Sequence, residues 1–276
     1  MRAALTFTLV AALATGSAFA HPPAGEARYI ANEGVMVVSG EAKILFDPLF
    51  SQGFGIYREV DEASFEAIMT GAAPFDGVDA VVISHAHPDH FHPRRVAEYL
   101  AAHPDVTLYA PEEAIGIMRS ENTLTDAIIG QIEAVALAFG DAPVRLETGD
   151  LIVEAVRIPH AGWPQRASVE NLVWRVTLDE GVTVMHLGDA DPDDSHFAPH
   201  DDHWRARETD MAFPPYWFFG SAEGIRIVDQ RLNTREAVGV HVPMAVPAEL
   251  TASGRDAFIL PGETRVIEAG EDRPDE

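Results

Sequence analysis

The sequence predicts an α/β (α+β) fold in which β-sheets pack in the middle and helices cover them. Three observations predict this fold. Short apolar runs of strand length, separated by turns, occur in both halves of the chain. Helical patterns are interspersed among them, which favours sheets with helices on their outer faces. The 276 residues are 47% hydrophobic, which suits the core of one domain.

The first half of the chain alternates between predicted strands and helices. Short runs with glycine-containing turns between them predict a β-meander at 28–31, 35–39 and 43–47. A loop rich in glycine and aromatic residues follows at 48–57. Asp61 is a suitable N-cap for a helix over 62–69. The continuous apolar run 78–84 predicts a buried strand.

The remaining elements continue this pattern. Pro93 fits the first turn of a helix over 93–102, a strand is predicted at 106–109, and Pro111 opens another helix. The next part is mostly extended, with predicted strands at 132–138, 144–146, 151–158, 169–178 and 182–187. The last two of these form a hairpin. A helix at 222–232 and a strand at 237–242 complete the prediction.

The N-terminus predicts export. Met1-Arg2 is followed by an apolar stretch at 3–14 and by small residues at 17–20, which together are typical of a signal peptide cleaved after Ala20. A buried first helix and a retained anchor are the alternatives. We therefore expect a periplasmic or secreted protein that begins at His21. A single domain over 21–276 would end in an acidic tail at 268–276. No later apolar stretch is long enough to predict a membrane span.

Charge and cysteine content restrict the partners and the ligands. The formal net charge of −25 would repel nucleic acid and anionic lipid, so we expect no nucleic-acid partner. We expect a small-molecule substrate instead. The chain contains no cysteine, so a metal site would consist of histidine and carboxylate ligands. The oligomeric state is left open.

One short segment carries the strongest functional signal. His85, His87, Asp89 and His90 occur within six residues, directly after the predicted buried strand. Imidazole and carboxylate are ligands for zinc and similar divalent ions. Residues two apart in an extended loop point the same way, so His85 and His87 can bind one ion together. Asp89 and His90 follow Pro88 and can face a second ion.

This segment resembles the H-x-H-x-D-H signature of the metallo-β-lactamase superfamily. Later residues at strand ends support the resemblance: His160, Asp189 and His241. The segment 32–48 resembles the opening hairpin of the branch that includes ascorbate-phosphate lactonase-like and N-acyl-phosphatidylethanolamine phospholipase-like enzymes. The resemblance covers roughly residues 28 to 245. It implies a four-layer αββα sandwich.

The resemblance also implies a two-metal site, with zinc as the expected ion and Mn²⁺ or Fe²⁺ as alternatives. The first metal would be held by His85, His87 and His160. The second would be held by Asp89, His90 and His241. Asp189 would bridge the two ions and, with Asp89, serve catalysis. A water shared by two such ions loses a proton near neutral pH and can attack a carbonyl carbon or a phosphorus.

Other residues are weaker candidates. His186 and Asp47 could orient ligand histidines, although a structural role is an equal alternative. The segment 213–219 is rich in aromatics and prolines, and could form an apolar wall of the site or pack in the core. Weak candidates for substrate contact are Trp163, Arg166, Tyr216 and Trp217. Such a wall would suit a substrate with an apolar portion, and Arg166 could bind a carboxylate or phosphate.

Three functions compete. The first is hydrolysis of an ester-like bond, with a lactone or carboxylic ester ranked first, a phosphodiester second and a β-lactam third. The second is an exported zinc-binding protein without turnover, motivated by acidity and by the histidines at 196, 200 and 203. The third is iron-dependent redox chemistry, because the same ligands accept iron. The ordinary interpretation of the three histidines is a polar insertion.

Overall fold

A computed structural model describes residues 25–179 and 181–268. The chain begins with an antiparallel meander of β1 (Gly25–Ala31), β2 (Gly34–Ser39) and β3 (Ala42–Phe46), as predicted. Helix α1 (Glu62–Thr70) follows, and its N-cap Asp61 accepts a hydrogen bond from the backbone N–H of Ser64 at 3.0 Å. The predicted signal peptide at 1–20 and residues 269–276 of the predicted tail lie outside the described residues.

Three helices connect the parallel strands of the first sheet, and α1 is the first of them. Strand β4 (Ala80–Val82), helix α2 (Pro93–Ala102), strand β5 (Thr107–Pro111), helix α3 (Glu112–Ser120) and strand β6 (Ile132–Val135) follow in order. Strands β3 to β6 run parallel to one another. The predicted strand at 78–84 is shorter than expected, because the chain leaves the ladder towards the histidine-rich loop.

The second sheet begins as an antiparallel meander. Strands β7 (Val144–Thr148), β8 (Leu151–Arg157), β9 (Leu172–Thr177) and β10 (Thr183–His186) pair in sequence order. The predicted hairpin is therefore present as β9 and β10. A long loop, residues 158–171, separates β8 from β9.

Later elements complete the two sheets and add helices. In chain order they are α4 (Asp194–Phe197), α5 (Asp201–Ala206), β11 (Thr209–Phe213), α6 (Ala222–Arg226), β12 (Thr234–Ala237), α7 (Ala248–Ser253) and β13 (Thr264–Ile267). The predicted strand at 237–242 is wrong in its bounds. Strand β12 ends at Ala237, and beyond it only Gly239 and Val240 form isolated bridges.

The strand order defines two sheets that face each other. The order is β13-β1-β2-β3-β4-β5-β6 in the first and β12-β11-β10-β9-β8-β7 in the second. One buried cluster joins their inner faces and includes Phe46, Tyr109, Trp174 and Phe213. The indole N–H of Trp174 donates to the carbonyl of Ile83 at 2.9 Å, which fixes the second sheet against the end of β4.

Helices cover both outer faces. Residues of α1, α2 and α3 pack on the first sheet in a second apolar cluster, and a third cluster places α4, α5 and α7 on the second sheet. The predicted four-layer αββα sandwich is confirmed. No helix in the described ranges is long and apolar enough to cross a membrane.

Candidate metal centre

Loops from both sheets meet at one end of the sandwich. The loop after β4 carries His85 to His90, and the backbone N–H of Leu172 in β9 donates to the carbonyl of Ser84 at 2.9 Å. His160 follows β8 and Asp189 follows β10. A short bridge holds these two segments together, in which the N–H of Ala161 donates to the carbonyl of Asp189 at 2.7 Å.

The first group of ligand atoms is a three-histidine cluster, formed by His85, His87 and His160. Nε2 of His85 lies 3.0 Å from Nδ1 of His87, which lies 3.2 Å from Nε2 of His160. Oδ2 of Asp189 faces the same point, 3.1 Å from Nε2 of His160 and 3.9 Å from Nε2 of His85. Four ligand atoms therefore converge from three separate loops.

The second group is a carboxylate cluster, formed by Asp89, His90 and His241. Nε2 of His241 lies 3.5 Å from Oδ2 of Asp89 and 3.4 Å from Nε2 of His90. Oδ1 of Asp189 approaches this group, 3.2 Å from Nε2 of His241 and 3.4 Å from Nε2 of His90. The two oxygens of Asp189 are thus divided between the two clusters.

The donor set fits divalent cations. Zn–N bonds of about 2.0–2.1 Å in a tetrahedral site place neighbouring donor atoms about 3.3 Å apart. The nitrogens and carboxylate oxygens of each cluster lie 3.0–3.9 Å apart, which matches this separation. Oδ1 of Asp189 is buried without a hydrogen-bond partner, as expected of an oxygen aimed at a cation.

The charge states differ between the two clusters. Burial lowers the pKa of His85, and burial together with His160 lowers that of His87 to about 4. These imidazoles are therefore neutral at pH 7, the form that binds metal. Burial opposes charge on His241 as well, but the carboxylate of Asp189 outweighs it and raises the pKa of His241 to about 10. The pKa of His90 is raised by the same carboxylate against the effect of burial.

Buried polar side chains hold the ligands in place. Asp47 accepts hydrogen bonds from Nδ1 of His90 at 2.9 Å and from the backbone N–H of Ser84 at 2.8 Å. It therefore takes the orienting position that the sequence suggested for it. His186 does not contact a ligand: its Nε2 donates to the backbone carbonyl of Glu33 at 3.0 Å, and its ring stacks on Phe46.

Two asparagines and a glutamate of the site were not predicted from the sequence. Nδ2 of Asn32 donates to the carbonyl of Asp89 at 2.8 Å, and the carbonyl of Asn32 accepts from the N–H of His241 at 2.9 Å. Oδ1 of Asn171 accepts from the N–H of Asp189 at 2.9 Å. Glu33 lies buried behind His90. The only sequence signal for these residues was that Asn32 and Glu33 lie in the opening hairpin.

Gly188 makes the turn that presents Asp189. Its φ of 53° lies in the left-handed region, and a Cβ would come within 2.4 Å of Oδ1 of Asn171 and 2.7 Å of Cβ of Ser84. No other residue fits this close approach. The Gly188-Asp189 pair is therefore a structural requirement of the site.

A solvent-open cleft of about 370 Å³ leads to the ligands. Phe54, Tyr57 and Arg166 line it, together with the ligands His87, Asp89, Asp189 and His241. Arg166 packs over Gly162 and is exposed at the cleft mouth. The ring of Tyr57 contacts that of His241 edge-on, with centroids 4.1 Å apart.

The aromatic candidates lie in different places. The ring of Trp217 lies 5.3 Å from that of His241 and so flanks the carboxylate cluster, while the ring of Tyr216 packs against Trp217 at 5.6 Å; neither lines the cleft. Trp163 instead packs against Phe139 at 5.3 Å and His196 at 5.7 Å. Phe213 and the rest of that segment pack into the core.

The remaining candidate histidines have separate environments. His196 contacts aromatic rings, His200 lies beside Trp204, and His203 lies beside Arg175. Within the described ranges, the groups of side chains able to hold a metal include none of these three. His92 is the N-cap of α2 and His103 its C-cap.

Comparisons with known proteins agree with this architecture. A family model described as a beta-lactamase superfamily domain matches residues 28–206, well over half of the chain. A comparison with curated proteins gives no match.

The solved structures that are similar to the chain include the following three. A possible metal-dependent hydrolase from Veillonella parvula is 14% identical, with a TM-score of 0.60 over 88% of this chain and 99% of its own. Isothiocyanate hydrolase from Delia radicum gut bacteria is 15% identical, with a TM-score of 0.59 over 88% and 100%. The metallo-beta-lactamase fold protein YhfI from Bacillus subtilis is 17% identical, with a TM-score of 0.57 over 87% and 98%.

At these identities the structural likeness shows the fold alone. The narrower branch suggested by the opening hairpin stays a prediction. The family model, the four-layer sandwich and the converging His and Asp side chains agree with one another. The chain therefore belongs to the beta-lactamase superfamily, with the metallo-β-lactamase fold.

Proposed function

We propose that this protein is a hydrolase that uses two divalent cations to cleave an ester-like bond. The observation that carries the proposal is the division of the Asp189 oxygens between two clusters of histidines. A carboxylate with one oxygen at each cluster is suited to bridge two ions. Zinc is the ion we propose, because histidine and carboxylate donors at these separations suit it, while Mn²⁺ and Fe²⁺ accept the same ligands.

The ions and the protein contribute different parts of the chemistry. When bound, two divalent ions supply Lewis acidity and lower the pKa of a shared water from about 15.7 towards 7. The three-histidine cluster supplies neutral donors at one end of the cleft. Asp89 and Asp189 supply negative charge beside the cleft and can accept a hydrogen bond from a water there. Asp47 fixes the ring of His90 through its Nδ1–H.

The cleft supports a substrate with an apolar portion and an anionic group. Phe54 is 54% exposed and lies beside Tyr57, which gives the mouth an apolar side. Arg166 lines the same cleft and forms no ion pair within 4.0 Å among the described residues. A guanidinium in this position can pair with a carboxylate or phosphate. A lactone or carboxylic ester stays first in our ranking, a phosphodiester second and a β-lactam third.

A substrate panel tests the proposal. Zinc-loaded protein is assayed on simple lactones, aryl phosphodiesters and a chromogenic β-lactam, each with and without chelator. We expect turnover of one class that chelator abolishes and zinc restores. Two bound zinc ions without turnover of any class would instead favour the zinc-binding alternative.

We also propose that the protein is exported and cleaved after Ala20. The signal-like N-terminus supports this proposal, and it lies outside the described residues. The intact mass of the protein recovered from its native host tests it. A chain that begins at His21 is expected, and a chain that keeps residues 1–20 would contradict it.

A further inference from the structure

Glu33 is a buried acid with no role in the proposed chemistry. It lies in the turn between β1 and β2, and its side chain is 0% exposed. Neither Oε1 nor Oε2 has a hydrogen-bond partner. Burying an ionised carboxylate without hydrogen bonds is costly, so the charged form of Glu33 requires opposite charge beside it.

The neighbouring imidazoles are already committed elsewhere. Oε2 of Glu33 lies 3.7 Å from Nδ1 of His90 and 3.7 Å from Nε2 of His186. Nδ1 of His90 is instead bonded to Asp47 at 2.9 Å. Nε2 of His186 is bonded to the backbone carbonyl of Glu33 itself. Among the described residues no lysine or arginine forms an ion pair with Glu33 within 4.0 Å.

Glu33 faces the carboxylate cluster from behind. Its carboxylate lies within 4.8 Å of ligand atoms of Asp189 and His241, and in a second group within 4.8 Å of those of Asp47 and His90. Among the described residues, no such group combines Glu33 with a histidine of the three-histidine cluster. Any field from this carboxylate therefore acts mainly on the second cation position.

The charge balance indicates what compensates Glu33. Two divalent ions carry four positive charges, and the carboxylates at the site are Asp89, Asp189, Asp47 and Glu33. A buried charge is tolerated when opposite charge is buried beside it. Four ionised carboxylates would match the four positive charges of two divalent ions, and replacing Glu33 removes one of the four.

We propose that Glu33 is the buried counter-charge that strengthens cation binding at the carboxylate cluster. It is a positioning residue that acts through its charge at a distance, while Asp89, His90, His241 and Asp189 make the contacts. The inference rests on the two-cation site of the proposed function. Because its side-chain oxygens accept no hydrogen bond, removing the charge of Glu33 breaks none.

Two substitutions separate charge from shape. Glu33→Gln keeps the size of the side chain and removes the charge, whereas Glu33→Asp keeps the charge and shortens the side chain. Exposed Glu41→Gln is the control for loss of one acid. Zinc stoichiometry and affinity are measured on the full chain by competition with a chromogenic chelator, and melting temperature is measured with and without zinc.

We expect Glu33→Gln to weaken binding of the second zinc ion by about 10- to 100-fold, which is the usual effect of replacing a residue that supports the metal ligands. The first zinc should be nearly unaffected. The metal-free melting temperature should be no lower than that of the wild type, while the rise on adding zinc should be smaller. Glu33→Asp should lie closer to the wild type in zinc affinity, and Glu41→Gln should match it.

Other outcomes overturn the inference. If Glu33→Gln binds both zinc ions as tightly as the wild type, the counter-charge role is wrong. The same holds if Glu33→Asp is the more damaging variant or if Glu33→Gln lowers the metal-free melting temperature, since either indicates a role in packing. If the wild type itself binds fewer than two zinc ions, the proposed two-cation site fails first, and the two failures are thus distinguished.

Discussion

The metal centre and a second buried polar network of this protein both contain buried acids and histidines, but different groups face the acids. In the second network, called the Arg175 network, Glu154 of β8 and Arg175 of β9 are paired across the strands beside His203. Nε and Nη2 of Arg175 donate to Glu154 at 2.8 and 3.1 Å. Nη1 donates to the carbonyl of His203 at 2.9 Å.

The two regions differ in the groups that face their buried acids. The Arg175 network satisfies its acid with a bidentate arginine of the same chain. The metal centre has several buried acids and histidines with no arginine or lysine paired to them among the described residues. Its acids are faced instead by His90 and His241, whose pKa values the carboxylate of Asp189 raises and whose imidazoles can also bind metal. Buried acids faced by histidines rather than by arginine or lysine therefore favour a cation site, and a buried acid paired with arginine favours a structural role.

The largest expected effect on activity belongs to Asp189→Asn. The amide keeps the size but removes the charge that the two clusters share. We expect zinc content to fall below two ions. Activity should fall by more than about 100-fold, the upper end of the loss seen when a residue that only supports the ligands is replaced. Metal analysis and kinetics on one preparation check this. A variant with two zinc ions and full activity would show that Asp189 does not bridge.

The largest expected effect on stability belongs to Arg175→Met. It leaves the buried Glu154 without its partner, which commonly costs about 3–5 kcal/mol. The free energy of unfolding from urea titration measures this cost. Zinc content of the folded variant should match the wild type. Loss of zinc instead would mean that the two regions are not independent.

Acid should destabilise the Arg175 network. Burial and the charge of Arg175 lower the pKa of His203 from 6.5 to about 4, so its contribution is present above pH 6.5 and is lost as pH falls towards 4. Although burial opposes it, Arg175 lowers the pKa of Glu154, whose contribution is lost below its ordinary value of 4.5.

The measurement is the free energy of unfolding of the metal-free protein between pH 7 and pH 4. The Arg175→Met variant serves as the matched control, because its network is already broken. We expect the wild type to lose more stability over this range than the variant. Equal losses would assign the acid sensitivity to other groups.

Asp47→Asn tests the orientation of His90. The amide cannot accept the Nδ1–H of His90 as strongly as the carboxylate does, so we expect zinc affinity to fall about 10- to 100-fold. Asp79→Asn, a change of an exposed acid next to β4, is the control. Unchanged zinc affinity in the Asp47 variant would indicate that Asp47 only holds the backbone at Ser84.

The smallest effect is expected from Arg166→Gln. An ion pair at an open cleft mouth is worth about 0.2–1 kcal/mol, so KM for a substrate with a carboxylate should rise by up to about fivefold. The KM for a neutral analogue and the kcat for both should stay close to the wild type. An equal change in KM for both substrates would show that Arg166 does not bind the anionic group of the substrate.

Much of the fold could be predicted from the sequence, and so could the part of the site whose residues are close together in the chain. His85 to His90 are close in sequence, so their spacing after an apolar run indicated a shared site. His160, Asp189 and His241 were named only through the family resemblance, and the structure brings all three to the same cleft end. The two-sheet sandwich followed from strand patterns and that resemblance together.

The rest depends on contacts between distant residues. Glu33 meets His90 and His186 only when β1 and β2 pack beside the motif loop, so neither spacing nor periodicity indicated its role. Trp163 follows His160 closely, yet its side chain packs on Phe139 rather than lining the cleft. Strand β12 ended early because the chain beyond it turns to place His241, whose φ is 58°.

A crystal structure of the zinc-loaded protein, with anomalous scattering collected at the zinc edge, would show whether the two-cation site exists. We expect two zinc peaks, one among His85, His87 and His160 and one among Asp89, His90 and His241, with one oxygen of Asp189 on each. A single peak, or two peaks that Asp189 does not contact, would contradict the bridged two-cation site.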